Sequence, residues 1–174
     1  MRLADGTNID YPVLQGESNL SYINTDVYGN FALAGSIFLD SRNSSTFADV
    51  FSLLYGHHME NSQMFGDLDK YRSADFLQQT NTGTLLVPGG RYALRVFACI
   101  VVSASDDLIY QPLQWQADNV PAMLDRLQAD ALCVDQAAMD DLRTAQNPKV
   151  LCMSTCSSDY TDARTVVLAA MQLE

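Results

Sequence analysis

Positive charge is what this sequence has least of. Ten lysines and arginines face 21 aspartates and glutamates, a formal net charge of −11. That balance excludes a nucleic-acid binder, whose phosphate contacts need a basic surface. It also excludes a polybasic patch for an anionic membrane surface. Long apolar runs are missing as well. The longest, Val96 to Val102, is far short of the ~18 residues a membrane helix needs. The opening, Met1-Arg2-Leu3-Ala4-Asp5-Gly6, has no basic segment followed by an apolar one, so no leader peptide is read there. Residues 1–8 are taken as a trimmed lead-in to one domain spanning 1–174. Histidine occurs twice, as the adjacent pair His57 and His58, and cysteine four times, at 99, 133, 152 and 156.

No Cys-x-x-Cys occurs, and a chain of this length does not need disulfide staples. A zinc site is disfavoured on spacing. Cys152 and Cys156 on one strand have Cα atoms ~13 Å apart, and neighbouring side chains such as His57 and His58 leave an extended chain on opposite faces. No metal and no cofactor is expected. Cys99 lies in the apolar run and reads as a core residue. With 48% apolar and 18% charged residues, the chain is globular and large enough for a real core.

The richest stretch is C-terminal. Lys149 to Cys156 and Arg164 to Ala170 are apolar and rich in strand formers, and the residues between them are small or polar except Tyr160. That pattern predicts an antiparallel hairpin, in which Cys156 closes one strand and Arg164 opens the next. A guanidinium beside a thiol favours the thiolate, which is the nucleophile. The alternative is a core cysteine and a surface arginine.

Upstream, Ile9 to Leu14 reads as an edge strand with Pro12, and Glu17 to Tyr22 as one helical turn. Ser36 to Leu39 and Phe51 to Tyr55 read as strands. Gln63 to Gln79 reads as helix in two pieces, from the spacing of Met64, Phe65, Leu68 and Tyr71. Thr84 to Pro88 and Arg91 to Ser103 form a predicted hairpin on Gly89-Gly90. Val120 to Leu132 is an amphipathic helix with Pro121 in its first turn, and Ala137 to Thr144 a second, weaker one. Strands do not alternate with helices as in a βαβ chain. The expected architecture is mainly β: a mostly antiparallel barrel with helices in the connections. His57 and His58 end the Phe51 to Tyr55 strand after Gly56, so one of them can serve as an imidazole partner for Cys156. The other reading is two polar residues at a strand end.

Several of these motifs occur together in one order. Ser154-Thr155-Cys156 followed by Arg164-Thr165-Val166-Val167, with Tyr55-Gly56-His57-His58-Met59 before them, resembles a sortase. Asp10 to Gly16, Gly35-Ser36-Ile37-Phe38-Leu39-Asp40 and Met64-Phe65-Gly66 resemble class B sortases in particular. The resemblance runs from Ile9 to Ala170. It implies an eight-stranded β-barrel with an extra helix before the cysteine strand, at Val120 to Leu132. It implies a cysteine transpeptidase with Cys156 as nucleophile, His57 as general acid and Arg164 as the cationic partner. The sorting peptide would be met near Asn19, Ile23 and Ser154. No carboxylate is assigned to complete a triad. The implied partners are surface proteins with a C-terminal sorting signal, typically cut between Thr and Gly. An amine from a cell-wall precursor or a pilin would receive the acyl group. The implied place is the outer face of a Gram-positive membrane, held by an N-terminal anchor outside this sequence. Two rivals remain. A chymotrypsin-like cysteine protease needs two barrels and a glycine beside the nucleophile, where this chain has Ser157. A non-enzymatic secreted β-barrel binding module would pair Cys152 with Cys156, or Cys99 with Cys133.

Overall fold

The C-terminal hairpin forms where it is expected and is the spine of the molecule. The computed structural model describes residues 1–3, 6–156 and 158–174. Ser157, at the start of the predicted turn and next to Cys156, lies outside the described residues. The strands, in chain order, are β1 (Arg2–Leu3), β2 (Val13–Leu14), β3 (Ile37–Leu39), β4 (Phe51–Tyr55), β5 (His58–Met59) and β6 (Gln63–Met64). They continue as β7 (Thr82–Val87), β8 (Gly90–Ser103), β9 (Ala131–Val134), β10 (Val150–Cys156) and β11 (Ala163–Leu173). The α-helices are α1 (Ala74–Gln79), α2 (Asp107–Tyr110), α3 (Val120–Asp130) and α4 (Gln136–Thr144).

Eight strands follow one path, β1-β7-β8-β11-β10-β4-β3-β2, with β9 attached to β8 and β5–β6 forming a separate small hairpin. Pairing is antiparallel except for β10 with β4 and β2 with β3. The segment leading into β2 runs beside β1: Arg2 bridges Asp10, and the Leu3 N–H donates to the Ile9 carbonyl at 2.9 Å. The result is a curled eight-stranded sheet, a half-barrel, which matches the expected mainly β architecture.

The central strands are buried on both faces, which is why they read as continuous apolar runs. Along β10, Leu151 and Met153 point into the barrel beside Leu54, Val167 and Ala169. Val150 and Cys152 point outward with Phe51, Leu53, Val166 and Leu168. There α3 and α4 cover them with Met123, Leu124, Leu127, Met139 and Leu142. At ~25 cal/mol per Å² of apolar surface removed from water, each such large side chain contributes ~2 kcal/mol.

Several local expectations are corrected. Ile9 to Leu14 supplies only the short β2 and the Asp10 bridge, and Glu17 to Tyr22 is turn rather than helix. The Gln63 to Gln79 helix starts as strand β6, becomes a 3-10 segment at Gly66–Arg72, and breaks at an extended Ser73 before α1. Leu68 and Tyr71, three apart, fit the 3-10 repeat and are wholly buried in the barrel. The β7–β8 turn uses Pro88 and Gly89, since Val87 already pairs with Gly90. The helix expected to reach Leu132 stops at Asp130, and Ala131–Val134 becomes β9. A four-residue apolar run is ambiguous by periodicity. Its pairing with β8, Cys133 opposite Cys99, decides it.

One buried charge organises the end of β3. Asp40 is fully buried. It accepts from Arg42 Nε at 2.9 Å and Nη2 at 2.8 Å, from the Tyr55 hydroxyl at 2.8 Å and from Asn19 Nδ2 at 2.9 Å. Arg42 also donates to the Tyr110 carbonyl at 2.9 Å. The cluster thus ties β3, β4, α2 and the segment around Asn19 into one wall. Burial pushes the Asp40 carboxyl upward, but the bonds from Arg42, Tyr55 and Asn19 outweigh it and hold the carboxyl at about 2. The folded value lies below the unfolded one, so the stabilisation is present above ~pH 4 and is lost as pH falls through about 2. Asp40→Asn is expected to lower stability by about 2 kcal/mol at pH 7, a Tm drop of about 4–8 °C for a chain of this size. Thermal melts from pH 7 to pH 2 check it. The gap between wild type and variant should shrink on acidification, and a gap constant with pH would refute the assignment.

Candidate active site

Cys156 is the last residue of β10, and its partner across the antiparallel ladder is Arg164. On the other side β10 runs parallel to β4 with Ser154 beside Tyr55, and the Gly56 N–H continues the ladder to the Ser154 carbonyl at 3.2 Å. Two residues further along each strand bring His57 level with Cys156. Alternation along the chain then places Ser154, Cys156, Tyr55, His57 and Arg164 on one face. All five line a single cleft of about 460 Å³, with Asn19, Leu20, Ile23, Phe38, Arg42 and Tyr110 among its other walls.

His57 is fixed by a backbone group. Its Nε2 lies 2.7 Å from the Ile23 carbonyl oxygen. A carbonyl only accepts, so Nε2 carries the hydrogen and Nδ1 is the nitrogen left to take up or give a proton. Two glycines permit this. A Cβ on Gly35, at φ +57°, would collide with the Ile23 and Tyr22 carbonyls. A Cβ on Gly56 would collide with Ile37 and sit 2.7 Å from a Phe65 ring carbon. His58 leaves on the opposite face, as alternation requires. Its Nε2 pairs with Asp69 at 2.7 Å.

The four cysteines are all free thiols, and only Cys156 is exposed. Burial pushes the Cys99 thiol up to about 12, raises Cys133 and raises Cys152 strongly. These three are held as inert thiols. Arg164 Nη1 donates to the Ala163 carbonyl at 2.9 Å, and no carboxylate among the described residues forms an ion pair with it. Its remaining donors are available to the cleft that it lines.

The residues expected to meet a peptide are all at the cleft, but they differ in what they have left to offer. Asn19 spends its amide on the protein: Nδ2 donates to Asp40, and Oδ1 accepts from the Ser41 N–H at 2.7 Å. Ile23 contributes its side chain to the wall and its carbonyl to His57. Ser154 Oγ is 2.8 Å from the Tyr110 hydroxyl. Tyr110, Arg42 and the Tyr55–Asp40 pair were not read from the sequence. Asp106 caps α2 by accepting from the Leu108 N–H at 2.9 Å. That Asp-before-apolar signal could have flagged the helix carrying Tyr110. Tyr55 and Tyr110 then stack at 6.3 Å to floor the cleft.

Comparison with known proteins agrees with this geometry. A sortase-domain family model matches residues 4–172. Sortase B of Listeria monocytogenes is 32% identical over 92% of this chain, and the chain spans 64% of that relative's length, under two thirds. The crystal structure of Spy0129, a Streptococcus pyogenes class B sortase involved in pilus biogenesis, superposes with TM-score 0.84 at 33% identity, covering 98% of this chain and 90% of that one. A Staphylococcus aureus sortase B–substrate complex gives TM-score 0.84 at 28% identity, covering 98% and 77%. The chain belongs to the sortase family, and its likeness within that family is to class B.

Proposed function

We propose that this chain is a cysteine transpeptidase that cuts a sorting peptide and joins its new carboxyl end to an amine. The observation that carries the proposal is the exposed Cys156 thiol directly opposite Arg164, in one cleft with a tautomer-fixed His57. Cys156 Sγ attacks the scissile carbonyl and forms a C–S bond as the peptide C–N bond breaks. The Cys156 thiol proton passes to His57, which as imidazolium gives its Nδ1 proton to the departing amine and then, as neutral imidazole, takes a proton from the incoming one as the thioester is resolved. The Arg164 guanidinium donates to the oxygen on which charge develops. Leu20, Ile23 and Phe38 give the cleft an apolar side suited to the peptide's side chains.

The family resemblance supports a surface protein with a C-terminal sorting signal as acyl donor, and an amine from a cell-wall precursor or pilin as acceptor. Sortases act at the cell surface. We place this one on the outer face of the membrane, held by an N-terminal segment outside the present sequence. Among the described residues no helix is long and apolar enough to cross a membrane.

The test of the reaction is a sorting-peptide library with mass spectrometry of the acyl-enzyme, followed by added oligoglycine or hydroxylamine. The expected result is a thioacyl adduct on Cys156 that accumulates without amine and converts to the amine product when one is present. Hydrolysed acid alone, across amines of several kinds, would make the chain a protease. Adduct formation should vanish in Cys156→Ala and survive in Cys99→Ala and Cys152→Ala.

The roles of His57 and Arg164 are separable by substitution. His57→Ala is expected to cost more than ~100-fold in kcat, the usual worth of a positioned acid–base, and His58→Ala clearly less. Arg164→Lys keeps the charge but loses the planar fork of donors, so little activity should return relative to Arg164→Ala. Steady-state rates of the four variants decide both points. Near-full activity in Arg164→Lys would reduce the arginine to a point charge.

A further inference from the structure

The strands that carry the site have a second face, and one short segment grips residues next to the site from there. The 3-10 segment Gly66–Arg72 sits in the barrel mouth with Leu68 and Tyr71 wholly buried. The Tyr71 hydroxyl donates to the Thr80 carbonyl at 3.0 Å, and the Tyr71 carbonyl accepts from Cys133 Sγ at 2.9 Å. The segment is therefore anchored independently of the cleft. From that anchor two side chains reach out. Asp69 accepts from His58 Nε2 through Oδ2 at 2.7 Å and from Thr165 Oγ1 through Oδ1 at 3.0 Å. Arg72 forms a two-point pair with Asp159, at 2.8 and 2.7 Å.

Each residue so gripped is a chain neighbour of the chemistry. His58 follows His57, Thr165 follows Arg164, and Asp159 lies in the connection between Cys156 and Arg164. We propose that Asp69 and Arg72 are positioning residues for the transpeptidase site. Asp69 fixes the separation of His57 from Arg164, and Arg72 fixes the connection that follows Cys156. The inference rests on the functional reading above, since it takes His57, Cys156 and Arg164 as the groups to be positioned.

The exposures make the idea testable. Arg72 and Asp159 side chains are 34% and 33% exposed, and His58 and Asp69 are 34% and 41%. Ion pairs this open contribute little to stability. Misplacement of reacting groups by a fraction of an ångström is costly to rate. A merely structural role predicts a small Tm shift and no specific rate loss. A positioning role predicts a rate loss out of proportion to the Tm shift.

The experiment is a pair of double-mutant cycles on acyl-enzyme formation: Arg72→Gln with Asp159→Asn, and Asp69→Ala with His58→Ala. Each single variant is expected to lower kcat about 10-fold, with KM within about twofold, by loosened geometry at the reacting atoms. Tm should move by less than about 4 °C. Each double variant should be no slower than the slower of its two singles, because both singles lose the shared contact. Singles at wild-type rate, doubles that multiply the single losses, or losses confined to KM would overturn the proposal. Alkylation of Cys156 by iodoacetamide is a readout that needs no peptide. If wild type forms no thioacyl adduct, the transpeptidase reading fails, and unchanged alkylation rates in the single variants would still refute the positioning role.

Discussion

The site depends on the register of β10 between two neighbours of opposite direction. β11 fixes Cys156 opposite Arg164, and β4 fixes Ser154 beside Tyr55. A slip of one residue would turn Cys156 to the barrel interior and replace it at the cleft with Thr155. Burial on both faces prevents that slip. Leu151 and Met153 must fill the barrel while Val150 and Cys152 meet the helices. The hydrophobic packing of Val150 to Met153 on β10 therefore sets which side chain of that strand faces the cleft.

This division between faces runs through the whole active end. The outer face presents Cys156, His57 and Arg164 to the cleft. The inner face presents His58 and Thr165 to Asp69. Adjacent residues with unrelated environments follow from the period of a strand, and the pair His57–His58 is the clearest case. One imidazole is held by the Ile23 carbonyl, the other by a carboxylate.

Much of this was legible in the sequence because it rests on local pattern. The C-terminal hairpin, the Phe51–Tyr55 strand, α3 and α4 all declare themselves by apolar spacing and turn composition. His57, Cys156 and Arg164 follow from those elements, with the family motifs to choose among them. What stayed hidden is what non-local contacts decide. β9 exists because β8 offers it an edge, and no spacing in Ala131–Val134 says so. The 3-10 form of Gly66–Arg72 answers to the barrel mouth that Leu68 and Tyr71 fill. The Asp40 cluster joins Asn19, Asp40, Arg42 and Tyr55 through side chains alone, and side-chain contacts of that kind leave no periodic trace.

The Asp40 cluster also bears on how a strongly acidic protein keeps a cationic cleft. With a net charge of −11, a carboxylate near the reacting thiol would be the ordinary outcome. Asp40, whose bonds to Arg42, Tyr55 and Asn19 build one wall of the cleft, is buried and compensated by Arg42. His57 is oriented by a neutral carbonyl, where a catalytic triad would use an anion. Arg164 meets no carboxylate among the described residues. In the proposed reaction each choice leaves a positive or neutral group, and not a paired carboxylate, in contact with the groups around Cys156. The absence of a triad carboxylate thus fits the same electrostatic demand as the presence of the arginine.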